Sequence, residues 1–407
     1  MQQFLRQNIT KQSPCDKSII FLSSYIKDYV IVQFGPLKYK ICYTVFYKAN
    51  YKKKCIKHGF KYLQKKWMKS MNRDRETGLD IVKAFATLAV VSVHFYLSIG
   101  YYRAPVISMK MYVMTFGRWF FIMGVPLFLM ATGYLKCRKK PEKKHYMSLI
   151  PIIISYIILC SIRMLVENYI YGTIHTPESA VKQLLNYEAA WYVGMYIGLM
   201  LLCPFLNKIW SSCDKKEHNI LIISLILITM MYPLVQYVFP SYFQVLYPLT
   251  YYFAGAYIRE YRPRYNRLLL AVIALVCTSV NGIITIKYSY GSTFTPGYLA
   301  LVDNGQNALT VAVASACVFL ILYDINIKNG FIATVVRSIS NCSLEIYLLQ
   351  AAINAVIFTY LGRRITEATE YFWLFFVTVP ISFCGSWIVA ALYKYIYGII
   401  RNAVVRK

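Results

Sequence analysis

Ten apolar stretches, most of them close to twenty residues long, fill nearly everything after residue 78 of this chain. A helix rises about 1.5 Å per residue and the hydrocarbon core of a bilayer is about 30 Å thick, so a run of about twenty apolar residues is long enough to cross it. Hydrocarbon offers the backbone no partner, and a continuous apolar run therefore crosses as a helix that satisfies its own N–H and C=O groups. The expected fold is all-α, a polytopic membrane helical bundle of about ten transmembrane helices. They fall near 79–101, 115–136, 148–170, 190–209, 219–238, 243–258, 267–287, 299–323, 338–360 and 371–398.

The loops carry an independent signal. Lys136, Arg138, Lys139, Lys140, Lys143 and Lys144 follow the second stretch, and Lys208, Lys215 and Lys216 follow the fourth. Arg259, Arg262, Arg264 and Arg267 follow the sixth, and Lys328 and Arg337 the eighth. The odd-numbered connections hold only Arg103, Lys110, Lys182, Lys287, Arg363 and Arg364. Lysine and arginine gather on the cytoplasmic side, which places the even loops and both termini inside.

Two domains are expected: a basic N-terminal arm, residues 1–75, and a membrane domain, residues 76–400. The arm carries 17 Lys/Arg against 3 Asp/Glu, half of the chain's net charge of +28. Its apolar pieces, Ile19–Tyr25 and Tyr29–Phe34, are too short to span, and the first twenty residues lack the apolar core of a secretory signal. Nucleic acid would be the sharp reading of so basic an arm. Ahead of a string of membrane helices it is read instead as a topology signal in contact with anionic lipid, with no nucleic-acid partner expected. Alternatively, translation starts at Met68 or Met71, just before the first apolar stretch. The eleven cysteines show neither a CxxC pair nor Cys/His ligand spacing, so no metal is expected.

His94 alone among the five histidines lies inside a long apolar run. At about 100° per residue, Lys83, eleven positions earlier, points to within roughly 20° of it, and Asp80, Thr87 and Ser98 share the stripe. An ionisable residue in a membrane helix costs about 2.5–3.5 kcal/mol even on the gentler insertion scales, so this stripe faces a protein-lined interior. His94 lies about 16 Å deeper than Lys83, on the outer side of the midplane. An imidazole there suits a general base; the bland reading is a histidine hydrogen-bonded within the bundle. Asp80 and Lys83, three residues apart, can pair.

The ninth stretch has a second stripe of Ser343, Tyr347, Gln350 and Asn354, with Glu345 on another face. Arg163 and Glu167 in the third form an i, i+4 pair that either orients a sugar or is a plain salt bridge. Arg118 lies near the outer end of the second, within snorkelling reach of the interface. Most of the 38 tyrosines are cheaply read as interfacial belt and packing, while Tyr96, Tyr101, Tyr102 and Trp191 cluster on the outer side near His94.

Gly78-Leu79-Asp80-Ile81-Val82-Lys83, followed ten residues later by His94-Phe95, resembles the first helix of the acyltransferase-3 family, integral-membrane O-acyltransferases of bacterial glycans. Val125-Pro126-Leu127-Phe128 through Thr132-Gly133-Tyr134, Trp191-Tyr192, and Ser343-Leu344-Glu345-Ile346-Tyr347-Leu348-Leu349 are similar to further family landmarks, in order. The chain departs from the pattern at Lys83, where the family has arginine, and at Gln350, where histidine is usual. The family's paired arginines after the second helix are also missing.

The resemblance implies transfer of an acyl group, usually acetyl, from cytoplasmic acyl-CoA to a glycan hydroxyl at the outer face of the bacterial cytoplasmic membrane. On that reading His94, Lys83 and Asp80 form the catalytic stripe. Lys83, Lys140, Lys143, Arg259 and Arg262 are the candidates for holding the anionic end of CoA, and Tyr102, Arg163, Trp191, Glu345 and Tyr347 for meeting the acceptor. Lysine supplies charge there but not arginine's bidentate fork. Membrane lipid and the glycan are the expected partners, and nothing names a protein partner. Two rivals stand beside it. A transporter or flippase for a lipid-linked glycan would use the stripes as a path, but no internal repeat is visible. A glycan polymerase would be expected to place its charges in a large outer loop, whereas residues 171–189 hold only His175, Glu178, Lys182 and Glu188.

Overall fold

The computed structural model describes residues 77–231, 237–295, 305–362 and 367–404, with the backbone of two short strands in the N-terminal region. Those strands, β1 (Val30–Phe34) and β2 (Leu37–Ile41), pair antiparallel with Val30 opposite Ile41 and Phe34 opposite Leu37. The chain divides into a unit of residues 1–75 with 394–407 and a membrane unit of residues 76–393. The rest of the arm, with Met68 and Met71, lies outside the described residues, as do Arg363 and Arg364.

The membrane unit is an all-α polytopic bundle. Among the described residues, seven segments are long and apolar enough to cross a bilayer. They comprise α1 (Thr77–Ser98), α2 (Met109–Phe121) with α3 (Gly124–Lys136), and α4 (Lys143–Met147) with α5 (Ile150–Tyr171). After the amphipathic α6 (Pro177–Leu185) come α7 (Trp191–Ser212), α10 (Arg267–Ser289), α13 (Ser343–Gly362) and α14 (Phe375–Val404). Shorter helices occupy the other expected spans: α8 (Lys215–Met230), α9 (Tyr247–Tyr261) and α11 (Leu309–Leu322).

The ninth expected span differs most. It is two helices, α12 (Gly330–Asn341) and α13, broken at Cys342. The Asn329 side chain starts α12 by accepting from the Phe331 and Ile332 amides, an N-cap that begins the helix eight residues before the apolar run does. The second span likewise starts early, where Ser108 caps α2 through the Met111 amide.

Helix ends gather at two levels. At one, Thr77 Oγ1 donates to the Ile325 carbonyl (3.0 Å), Arg267 pairs with Asp324 (2.8 Å), Asn207 Nδ2 donates to the carbonyls of Lys136 and Lys139 (2.8 Å each), and Arg138 faces Glu260 (3.8 Å). At the other, Val106 bridges Tyr290, Arg118 Nε donates to the Tyr102 hydroxyl (3.2 Å), and the Tyr251 hydroxyl donates to the Gln306 carbonyl (2.6 Å). The loops rich in lysine and arginine all belong to the first level, so charge pattern and packing agree on one sidedness.

Close packing fixes the interior. A Cβ on Gly133 of α3 would run into the Tyr252 carbonyl of α9, and one on Gly255 into the Met130 carbonyl, so these two backbones touch across small residues. α1 stands between two apolar clusters. Leu79, Val82, Ala86 and Val90 pack toward α3, α9 and α11. Val91, Phe95 and Tyr96 pack toward α5, α13 and α14.

Candidate active site

The polar stripe of α1 meets α12 and α13, and it does so in register. Near the basic end, Asp80 accepts from the Ser340 hydroxyl (2.6 Å) and lies 3.9 Å from Arg337 Nε. Lys83 Nζ donates to the Ser340 carbonyl (2.7 Å). That carbonyl is in the last turn of α12, where the helix leaves oxygens without intrahelical donors and where a cation is favoured. Asp80, Arg337 and Ser340 are all buried. Arg337 is therefore not a loop charge, as its position between spans suggested. The amphipathic α12 turns it inward against Asp80.

Two turns and more beyond, Gln350 meets His94 Nδ1. The Tyr347 ring lies 6.0 Å from the His94 ring. One turn further, Asn354 Nδ2 is 3.4 Å from Ser98 Oγ, and Ser382 of α14 donates to Asn354 Oδ1 (2.6 Å). Contacts rise together along both helices, so α1 and α13 run side by side in one direction. His94 is half-buried, with no hydrogen bond to its Nε2 among the described residues.

Two further helices close the His94 end. Tyr192 stands at the start of α7, and the Tyr192 and Tyr347 rings are 6.0 Å apart. Arg163 of α5 is close enough for its charge to be felt at both His94 and Tyr347. Its Nε donates to Glu167 (2.7 Å) and another guanidinium nitrogen to the Ala189 carbonyl (2.8 Å), while Glu167 also holds His175 (2.8 Å). Arg163–Glu167 is thus more than a local pair. It ties the outer loop and the start of α7 to the wall facing His94.

The remaining expected residues lie apart. Trp191 is 39% exposed and stands edge-on to Tyr192, so of this neighbouring pair it is Tyr192 whose ring meets Tyr347. Glu345 is buried in the first turn of α13, where the helix dipole favours a carboxylate. Lys140 and Lys143 are exposed at the basic end. Arg259 there stacks over the Tyr134 ring (4.9 Å), and Arg262 is exposed with a left-handed backbone. Tyr102 meets Arg118, whose guanidinium lies over Trp119 (4.5 Å) and Phe294 (4.7 Å). Arg118 is completely buried and does not snorkel to the interface, because an aromatic cage receives its charge instead.

Ser340, Arg337 and Tyr192 are the site neighbours that sequence reasoning did not assign. Gln350 stood in the second stripe, but no pattern within one helix could say that it faces His94. A half-buried histidine with one ring nitrogen on a carboxamide and a tyrosine ring beside it is an arrangement able to take up or pass on a proton.

No curated protein and no solved structure matches the chain. The acyltransferase-3 family, described as an acyltransferase domain, matches residues 76–391, nearly the whole membrane unit. The in-register pairing of α1 with α12 and α13 runs through that matched region, and the chain is a multi-pass membrane protein belonging to the acyltransferase-3 family.

Proposed function

We propose that the chain transfers an acyl group, in the first instance acetyl, from cytoplasmic acyl-CoA to a hydroxyl of a cell-surface or lipid-linked glycan. The setting is the bacterial cytoplasmic membrane, and the reaction is O-acylation. The observation that carries this is His94. It is half-buried on the face that α13 and the charge of Arg163 enclose, with one ring nitrogen held by Gln350.

The chemistry follows from the layout. The nucleotide end of CoA meets the basic end of the bundle, where Lys140, Lys143, Arg259 and Arg262 offer point charges or guanidinium forks. Lys83 lies between that end and His94 on the α1 stripe. The pantetheine arm carries the thioester outward. At His94 the imidazole takes the proton of the acceptor hydroxyl as its oxygen attacks the thioester carbonyl, and the C–S bond breaks to release CoA as a thiolate that gains a proton. A variant of the same chemistry passes the acyl group through the imidazole itself. A positioned base contributes about 10²–10⁴-fold. Tyr102, Arg163, Trp191, Glu345 and Tyr347 remain the proposed acceptor contacts, with Arg163 and Tyr347 best placed beside His94.

The test gives acetyl-labelled acetyl-CoA to membranes holding equal amounts of wild type and His94→Ala, and follows CoA release and label in glycan. Expected is turnover in wild type and a loss of about 10²–10⁴-fold in the variant. Equal turnover removes His94 from the reaction. Turnover in neither puts the transporter reading first.

A further inference from the structure

We propose that Gln350 is the positioning residue of His94, and that its carboxamide selects the imidazole tautomer which leaves the Nε2 lone pair free. The proposal rests on the acyl-transfer reading and adds to it a residue whose role the family match does not assign.

The argument starts from the geometry. Gln350 lies wholly inside the bundle, and its one side-chain hydrogen bond among the described residues is from its amide nitrogen Nε2 to His94 Nδ1. It sits 256 residues from His94, so the contact comes from α1 and α13 packing in register rather than from chain proximity. Asn354, one turn on, is held to Ser98 and Ser382, which pins this face of α13 against α1. Gln350 Oε1 is buried without a hydrogen-bond partner among the described residues, a costly state for a carbonyl oxygen.

A carboxamide offers a donor and an acceptor on the same planar head, and turning it over exchanges them. With its N–H on Nδ1, the ring must carry its proton on Nε2 and cannot accept one there. With Oε1 turned onto Nδ1, the unpartnered oxygen takes the Nδ1 proton and the lone pair moves to Nε2. Nε2 is the nitrogen without a protein partner among the described residues, and the one left to meet an acceptor hydroxyl. Turning the amide over pairs Oε1 and puts the NH2 group in its former place, and the tautomer that the paired Oε1 selects is the one that makes a base.

The substitutions separate positioning from mere packing. Gln350→Leu keeps the volume and removes both hydrogen-bonding groups, while Gln350→Glu keeps an acceptor toward Nδ1. For Gln350→Leu, kcat falls at least about tenfold while KM for acetyl-CoA stays put, out of the total that a positioned base supplies. Gln350→Glu recovers most of that loss. Unchanged kcat in Gln350→Leu, or equal loss in both variants at equal protein level, overturns the proposal.

A second readout needs no turnover. In membranes containing the protein with ¹⁵N-labelled histidine, the His94 nitrogens are identified by their absence from the His94→Ala spectrum. Expected is a single Nδ1–H tautomer in wild type and a mixture in Gln350→Leu. A wild-type Nε2–H tautomer, or no change in Gln350→Leu, refutes the role of Gln350. Failure of acyl transfer with the expected spectra would instead count against the function.

Discussion

Replacing Asp80 by alanine tests whether the inner cluster of the α1 stripe is scaffold or chemistry. The Asp80 carboxylate is 2% exposed, accepts from Ser340 Oγ at 2.6 Å, and faces Arg337 Nε at 3.9 Å. With an effective dielectric of about 20, charges at that 3.9 Å separation attract by about 4 kcal/mol. Desolvation offsets much of this when the pair forms, but not when half of it is removed. Arg337, 7% exposed, is then left buried with its countercharge gone. Breaking a buried pair on one side costs about 3–5 kcal/mol. Asp80→Ala is therefore expected to lower the unfolding free energy by that amount, with Asp80→Asn in between because it keeps a partner for Ser340. Arg337→Leu in the Asp80→Ala background restores part of the loss, giving a coupling of about 2 kcal/mol in the double-mutant cycle. The assay is reversible unfolding of purified protein in mixed detergent–lipid micelles. A cost below about 1 kcal/mol for Asp80→Ala, or simple additivity with Arg337→Leu, would refute the buried-pair reasoning and return Asp80 to the list of reacting groups.

The crossing of α3 and α9 makes a second stability test. Gly133→Leu forces a side chain into the Tyr252 carbonyl and is expected to cost at least about 1–3 kcal/mol in the same assay, whereas Gly198→Ala, with open space at its Cβ, is neutral or slightly stabilising. Arg138→Ala removes an ion pair of 3.8 Å whose side chains are 72% and 41% exposed, and the expected change is under about 1 kcal/mol and vanishes in high salt.

What was legible in the sequence is what one helix or one loop decides by itself. The apolar runs behind α1, α5 and α10 announce spans because length and hydropathy are local. The lysines of 136–144 and the arginines of 259–267 announce one end because the charge rule is also local. His94 and Lys83 show themselves as one stripe through the period of a single helix. The rest depends on partners. Nothing local says that the stripe of α13 faces the stripe of α1, and the Gln350–His94 contact spans 256 residues. The break at Cys342 carries neither proline nor glycine, so the ninth span reads as one helix where there are two. Arg118 near a helix end reads as a residue that reaches for water, until Tyr102 and Phe294 arrive from elsewhere in the chain to enclose it beside its neighbour Trp119.

The break at Cys342 also gives a physical account of lysine at position 83. α12 ends at Asn341, and the Ser340 carbonyl in its last turn receives Lys83 Nζ, as the negative end of a helix favours. A single carbonyl oxygen calls for one point donor on a flexible stem, which is what lysine provides and what a planar fork of five N–H groups does less economically. The guanidinium in this cluster comes from the other side: Arg337, one turn before Ser340 on α12, faces the Asp80 carboxylate. The cluster thus holds an ammonium, a guanidinium and a carboxylate, but distributes its cations over two helices. The same break sets α13 on its own course, and on that course Tyr347, Gln350 and Asn354 come to lie along α1 opposite His94 and Ser98. The basic-end cluster and the His94 site are consequently one construction. What fixes α12 against Asp80 also fixes where α13 starts, and so where Gln350 meets the imidazole.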